Sequence, residues 1–232
     1  MDSAVEKFSA FDFLNLIIAG IVFLTTLGLC HYQQAKLLLL GLAGAIGESK
    51  FLLIIVILAI LSISLVIGSI FQIIGHWIIK EKLGWEKKLI RTCLLNEKIF
   101  DNDFRINRIQ SKARAYFELS NDEKFTKMQS EAFFHYCLYY LQVNGMDRKP
   151  EKLFETQGLS ELLVCVFGAT PLTSVLLYVI EARCFCEIGM DLHLVAVLYV
   201  LCFLLAFAFY YRYKISCINR IKMILSIYDA RK

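Results

Sequence analysis

FLLIIVILAILSISLVIGSIFQIIGHWII, residues 51–79, is a run of 29 residues that contains no Asp, Glu, Lys or Arg. An α-helix of about 20 apolar residues crosses a hydrocarbon core of ~30 Å, so this run is long enough to span a membrane. The whole chain of 232 residues is 58% hydrophobic, with a mean hydropathy of +0.58. The stretch therefore predicts an integral membrane protein.

Small and polar residues recur along one face of this predicted helix. Ser64, Gly68, Gln72 and Gly75 follow one another at intervals of four, four and three residues. A face of this kind usually turns towards protein or water rather than lipid. It predicts an oligomer contact or a pore lining, and packing inside a single four-helix subunit is the alternative.

Three other apolar blocks predict further spans, at about 13–30, 162–180 and 192–211. The predicted fold is an all-α membrane protein with four transmembrane helices and a helical cytosolic insert between the second and third spans. Its predicted parts are a transmembrane hairpin over 1–79, a cytosolic helical domain over 80–158, and a second hairpin with a cytosolic C-terminal helix over 159–232.

The distribution of basic residues predicts the topology. The region 80–158 and the C-terminal tail hold most lysines and arginines, whereas the loop 181–191 has one arginine and three acids. The positive-inside rule therefore places both termini and the middle domain in the cytoplasm. The predicted location is a bacterial inner membrane.

Helix boundaries follow from local signals. Ser120 and Glu123 have the spacing of a capping box and predict a helix that ends at Gly145. Ser160 is the predicted N-cap of the third span. The segment 37–46 is too short to cross a membrane, and its glycines are expected to break helical continuity. It predicts a short interfacial helix, with a re-entrant segment or an outward extension of the first span as the alternatives.

Signals for catalysis or metal binding are absent from the sequence. It contains no HExxH, GxSxG, Walker A, GxGxxG or paired CxxC motif. Its four histidines are far apart, which argues against a metal site. We therefore expect no enzymatic activity and no cofactor.

Two groups of residues in the polar region are candidate contacts for a partner or for lipid: Arg105, Arg108 and Lys112, and Phe133, Tyr136 and Tyr140. The basic group shares one helix face, which suits anionic lipid, and a solvated face is the alternative. The aromatic group predicts either a docking surface for a cytosolic protein or the core of the small domain. Interspersed acids argue against direct nucleic-acid binding.

Two further features concern the spans. Pro171 lies near the middle of the third span, where it predicts a packing kink or a gating hinge. Cys30 lies on the same predicted side as Cys184 and Cys186, so a disulfide with either one is predicted, with free thiols as the alternative.

The opening FSAFDFLNLIIAGIVFL resembles the first span of small bacterial membrane proteins. The four-span layout with a cytosolic helical insert resembles the membrane subunit of the Kiwa anti-phage defence system. This resemblance implies an oligomeric inner-membrane protein that senses phage attack and holds a cytosolic DNA-binding effector, and it assigns no role to an individual residue.

These observations predict a homo-oligomeric membrane scaffold or sensor that contacts lipids and recruits a cytosolic protein. The alternative is an ion channel or membrane-disrupting effector whose pore is lined by the second span.

Overall fold

The computed structural model describes residues 10–47, 49–95, 105–120, 123–184 and 192–231. Within these ranges the regular structure is entirely helical. A π-helical segment, His76–Leu83, directly follows α3. The α-helices are α1 Ala10–Cys30, α2 Tyr32–Ile46, α3 Lys50–Gly75, α4 Trp85–Thr92, α5 Arg105–Phe117, α6 Lys127–Val143, α7 Arg148–Cys184 and α8 Leu192–Arg231.

In the described ranges, four helical stretches are long and apolar enough to cross a membrane. They are Asp12–Cys30, Lys50–Leu83, Arg148–Ile180 and His193–Arg231, with hydropathies of 2.3, 3.2, 2.1 and 2.4 in their most apolar windows. Their surfaces are largely apolar and exposed, as lipid-facing helices require. The predicted set of four apolar spans is therefore confirmed, and it fits a multi-pass membrane protein.

The third and fourth spans are parts of much longer helices. α7 has 37 residues and α8 has 40. The prediction that Ser160 caps the third span is wrong, because α7 begins at Arg148 and Ser160 lies buried inside it. The amide N–H of Glu151 already donates to the carbonyl of Asp147, so the first turn forms well before the apolar run.

The start of α6 also differs from its prediction. The capping box consists of Thr126 and Gln129 rather than Ser120 and Glu123. The Gln129 N–H donates to Thr126 Oγ1 at 3.2 Å, and the Thr126 N–H donates to Gln129 Oε1 at 2.8 Å. The predicted end is confirmed, since Gly145 follows the C-cap with a φ of +64°.

The segment after the first span forms one continuous helix, α2, through Gly41 and Gly44. The expectation that these glycines interrupt the helix is wrong, because a helical glycine costs only about 1 kcal/mol relative to alanine. The 15 residues of α2 extend for only about 22 Å. None of them is buried, so α2 is too short to span and has a largely exposed surface.

The chain divides into two compact units. Unit 1 consists of Met1–His76 and Leu159–Tyr210, and unit 2 consists of Trp77–Gly158 and Tyr211–Lys232. Unit 2 thus includes the C-terminal part of α8, which the sequence grouped with the last hairpin.

Each unit has its own buried apolar residues. In unit 1, Leu163, Phe167 and Cys202 form a cluster, and the ring of Phe167 stacks on Phe209 with centroids 5.8 Å apart. The large apolar side chains that are fully buried in unit 2 include Ile79, Leu94, Ile109, Phe133, Leu141, Ile221, Ile224 and Leu225.

Candidate functional site

The small residues of α3 bring its backbone against that of α1. A Cβ placed on Gly68 would lie 2.7 Å from the carbonyl carbon of Leu16, and one placed on Gly20 would lie 2.6 Å from the Cα of Ser64. Real carbon contacts need roughly 3.5–4.0 Å, so only glycine fits at either position. Ser64 and Gly68 have the small-xxx-small spacing that allows close helix packing in membranes.

This packing corrects the predicted oligomer or pore face. Ser64, Gly68 and Gly75 are buried within the chain, the first two against α1 and Gly75 against the side chain of Glu161 on α7. Gln72 does not share their environment, because it is exposed. The alternative of packing inside one subunit therefore describes these three residues, which leaves no continuous stripe to line a pore.

Unit 1 also contains a buried polar cluster, which we call the His31 cluster: His31, Ser174, Tyr178 and Tyr199. Ser174 Oγ lies 3.1 Å from His31 Nε2 and accepts a hydrogen bond of 2.9 Å from the Tyr199 hydroxyl. The Tyr178 ring stacks on the imidazole with centroids 4.1 Å apart, and its hydroxyl donates to the backbone carbonyl of Cys30. The His31 cluster thus joins the α1–α2 junction to α7 and α8.

The Tyr199 hydroxyl donates to Ser174 Oγ, and the direction of the hydrogen bond between Ser174 and His31 follows from which imidazole nitrogen carries the proton. Ser174 is completely buried and His31 is nearly so. Interhelical hydrogen bonds of this kind in membrane proteins are worth about 0.6–2 kcal/mol each. The hydrogen bonds of the His31 cluster therefore stabilise the packing of the helices that they connect.

The sequence contained a signal for the His31 cluster that the prediction did not use. Ser174 and Tyr178 are four residues apart in an otherwise apolar span, so they share a helix face. Tyr199 is a polar residue in the next span. A comparison of the four histidines with one another as metal ligands does not reveal these hydroxyl partners.

In unit 2 the predicted aromatic contact residues lie mainly inside the fold. Phe133 is completely buried, and the rings of Phe133, Tyr136 and Tyr140 surround Tyr228 of α8 at centroid distances of 5.6, 5.9 and 5.4 Å. Edge-to-face aromatic pairs at such distances stabilise a core. The core alternative therefore describes Phe133, while Tyr136 and Tyr140 are half-buried and their role as a docking surface stays a prediction.

The predicted basic contact residues are partly used by an ion pair. Lys112 Nζ lies 2.8 Å from the buried Asp229 carboxylate and donates to the Asp229 carbonyl at 2.6 Å. Arg108 Nε is 3.5 Å from the same carboxylate. The Lys112–Asp229 pair holds α8 within unit 2, whereas Arg108 remains exposed, so contact of this group with lipid or a partner stays a prediction. Arg105 is exposed at the start of α5.

A second polar network links α4, α7 and α8 within unit 2. Arg220 donates to Glu86 Oε1 at 2.7 Å, and the Gln157 side-chain amide donates to Glu86 Oε2 at 2.9 Å. The Arg220 guanidinium also lies over the Phe154 ring, 4.6 Å from its centroid. Since both charged side chains are largely buried, the pair positions α8 against α4.

α4 and α6 are joined at two further points. Arg91 donates to Glu131 at 2.8 Å, and this hydrogen bond holds the pKa of Glu131 below its ordinary value. Ser130 donates to the Ile90 carbonyl and accepts from the Leu94 N–H. Burial raises the pKa of the neighbouring Cys93 thiol to about 11, which keeps it protonated at neutral pH.

The outward face of α6 is apolar. Met128, Tyr139 and Val143 are 80%, 66% and 65% exposed, and their spacing of 11 and four residues places them on one side of the helix together with the exposed Ala132 and His135. We call these five residues the α6 face. It lies on the side of α6 opposite the aromatic core.

The remaining predicted residues are placed as follows. Pro171 is buried within α7, which continues through it, and the gating hinge stays a prediction. Cys30 is a buried free thiol. Cys186 and the side chain of Cys184 lie outside the described residues, so the disulfide stays a prediction.

No group of three or more His, Cys, Asp and Glu side chains suited to a metal ion occurs in the described part of the chain. Comparison with family models, curated proteins and solved structures finds no match to this chain. The resemblance to the Kiwa membrane subunit therefore stays a prediction.

Proposed function

We propose that this chain is a non-enzymatic scaffold or sensor subunit of a bacterial inner membrane, with unit 2 in the cytoplasm as a docking module for an effector protein. The positive-inside distribution of charge supports this orientation. Participation in an anti-phage defence complex is the specific form that the sequence resemblance suggests.

The α6 face is the observation that carries the proposal. It belongs to a unit with its own buried core and internal ion pairs, so unit 2 has the features of a folded module. Apolar side chains grouped on one exposed helix face are typical of contact surfaces. Met128, Tyr139 and Val143, which are exposed, are therefore the candidate docking residues of unit 2.

Co-expression with the proteins encoded by neighbouring genes tests the proposal. The full-length chain, purified in mild detergent, should retain one of them. Tyr139→Asp with Val143→Asp should lose it, because two charges replace apolar contact area. Ser111→Asp with Ala115→Asp adds the same charges at exposed sites on α5 and should keep it.

A complex with none of these proteins, or equal retention by both double variants, would reject the docking role of the α6 face. Size-exclusion chromatography with light scattering of the same preparations measures the proposed homo-oligomer. We expect the contact of such an oligomer to use surfaces other than Ser64, Gly68 and Gly75, because these residues are packed within the chain.

An ion channel lined by α3 is less well supported, because the small residues that would line it are buried against α1 and α7. Gln72 is the residue of that set that stays exposed. Ion flux into liposomes that appears with the wild type and falls with Gln72→Leu would restore the channel proposal.

A further inference from the structure

The residues of the α6 face follow the spacing of a helix–helix contact. Met128, Ala132, His135 and Tyr139 are separated by four, three and four residues, and all four are exposed. Alternating steps of three and four residues keep side chains on one seam of a helix, which is the spacing by which two α-helices pack along their length. From Met128 to Val143 the face extends for about 22 Å, which matches a facing helix of about four turns.

The middle of the α6 face is its lowest point. Ala132 has only a methyl side chain, whereas Met128, His135 and Tyr139 on either side of it are long or aromatic. When two helices pack, a side chain of one enters a hole formed by four residues of the other. Because the hole at Ala132 has a methyl group as one of its members, it has room for a large apolar side chain such as leucine.

The ends of α6 carry mainly positive charge. Four exposed basic side chains lie there: Lys124, Lys127, Arg148 and Lys149. In the same two segments Glu123 is exposed and Asp147 is half-buried. The carboxylate of Glu131, beside the face, is already paired with Arg91 at 2.8 Å. Since complementary charge at the rim of an interface selects the partner, acidic residues are expected on the facing helix.

This distribution of charge disfavours a second copy of the α6 face as the partner. In a parallel pair each basic end would lie beside itself, and in an antiparallel pair the basic beginning of one α6 would lie beside the basic end of the other. Like charges placed together in this way oppose association. Addition of a partner strand is not available either, because the regular structure of the described ranges is entirely helical and offers no sheet edge.

We propose that the α6 face binds an acidic amphipathic α-helix of the partner protein, with a large apolar side chain of that helix at Ala132. This role rests on the proposed docking function of unit 2 and specifies the chemistry of what docks there.

A designed peptide provides the direct test. The full-length protein in phosphatidylcholine nanodiscs is titrated with a fluorescein-labelled peptide of about three heptads, which carries leucine at a and d and glutamate at e and g. Fluorescence anisotropy should show binding, with empty nanodiscs as the correction for lipid. The same peptide with lysine at e and g should bind about ten-fold more weakly, because its charge has the wrong sign for the ends of α6.

A steric variant tests the role of Ala132 without adding charge. Ala132→Trp fills the hole and should weaken binding of the acidic peptide about ten-fold or more, because overpacking a contact is costly. Ala115→Trp adds the same ring at an exposed site on α5 and should keep wild-type binding. Both alanines are exposed, so both variants should fold, and far-UV circular dichroism checks this.

A charge variant tests the ends of α6. K124E/K127E should weaken binding of the acidic peptide about five-fold, and less at high salt. K82E/K152E reverses two other exposed lysines of unit 2, which lie outside the segments next to α6, and it should bind the peptide within about two-fold of the wild type.

Several outcomes would overturn this role of the α6 face. They are equal binding of the two peptides by the wild type, equal binding of the acidic peptide by the two tryptophan variants, or release of the peptide by phosphatidylglycerol vesicles, which would make the face a lipid contact. A smaller oligomer of Ala132→Trp in light scattering would assign the face to a second copy instead.

The co-expressed proteins separate this inference from the proposed function. A neighbour-encoded protein that is retained equally by the wild type and by Ala132→Trp would reject the acidic helix at Ala132 and leave the docking function of unit 2 in place. Peptide binding with the expected selectivity, but no retained protein, would reject the docking function and keep the assigned chemistry of the face.

Discussion

Gly68→Ala tests the close approach of α1 and α3. The added Cβ would lie 2.7 and 2.9 Å from the carbonyl carbon and Cα of Leu16, an overlap of roughly 1 Å with the usual contact distance. Because the obstacle is backbone, no rotamer change relieves it, and we expect a cost of about 2–3 kcal/mol. The better helix propensity of alanine offsets about 1 kcal/mol.

Gly168→Ala is the matched control, since nothing lies within 4 Å of a Cβ at Gly168 on α7. Both changes have the same propensity term, so their difference isolates the overlap and should be about 2–3 kcal/mol. Unfolding by SDS in mixed micelles, followed by far-UV circular dichroism, measures it. Equal stability of the two variants would refute the close contact between α1 and α3.

The remaining predictions concern four other sites. Ser174→Ala removes the oxygen shared by two hydrogen bonds and should cost about 1–2 kcal/mol in the same assay. Asp229→Asn should cost about 1–3 kcal/mol, because it removes the buried charge that pairs with α5. Cys93 should resist maleimide until the protein is denatured, because it is buried with a pKa of about 11. The pKa of Glu131 is lowered in the folded protein. Its ion pair with Arg91 therefore stabilises the fold at pH values above the unfolded pKa of about 4.3, and this stabilisation is lost as the pH falls through the folded pKa. Glu131→Gln should therefore reduce the loss of stability in acid by less than about 1 kcal/mol.

Each of these predictions has an outcome that contradicts it. Ser62→Ala is the control for Ser174→Ala, because it removes only a hydrogen bond within its own helix. An equal loss of stability in the two variants would show that the interhelical hydrogen bonds of Ser174 contribute nothing extra. An Asp229→Asn variant as stable as the wild type would show that the pair contributes nothing. Rapid labelling of native Cys93, mapped by mass spectrometry, would contradict its burial. An unchanged acid profile in Glu131→Gln would deny the contribution of the pair with Arg91.

The spans could be predicted because they depend on local composition. A run without charged residues, such as 51–79, is stable only in lipid or in a protein core, and the length of this run indicates a membrane span. The ends of helices were harder to predict, because two candidate capping boxes lie close together. Ser120 and Thr126 both have a capping partner three residues later. In the structure, α6 begins after Thr126, and its apolar residues follow from there.

The direction in which each helix face points could not be predicted from the chain alone. Phe133 and Met128 belong to one helix and both suit a contact surface, yet only the first meets Tyr228. That choice depends on Tyr228 of α8, which lies 95 residues after Phe133 in the sequence. Lys112 and Asp229 illustrate the same limit, because an ion pair across 117 residues leaves no periodic signal.

The positions of the two tryptophans make intrinsic fluorescence a probe of one part of the chain. Trp77 and Trp85 both belong to unit 2, so intrinsic emission excited selectively in tryptophan reports on that unit and not on unit 1. A lysine ammonium lies over each indole, and charge close to an excited ring shifts its emission. Unfolding of unit 2 can therefore be followed by tryptophan emission without a label, while circular dichroism reports on the helices of both units.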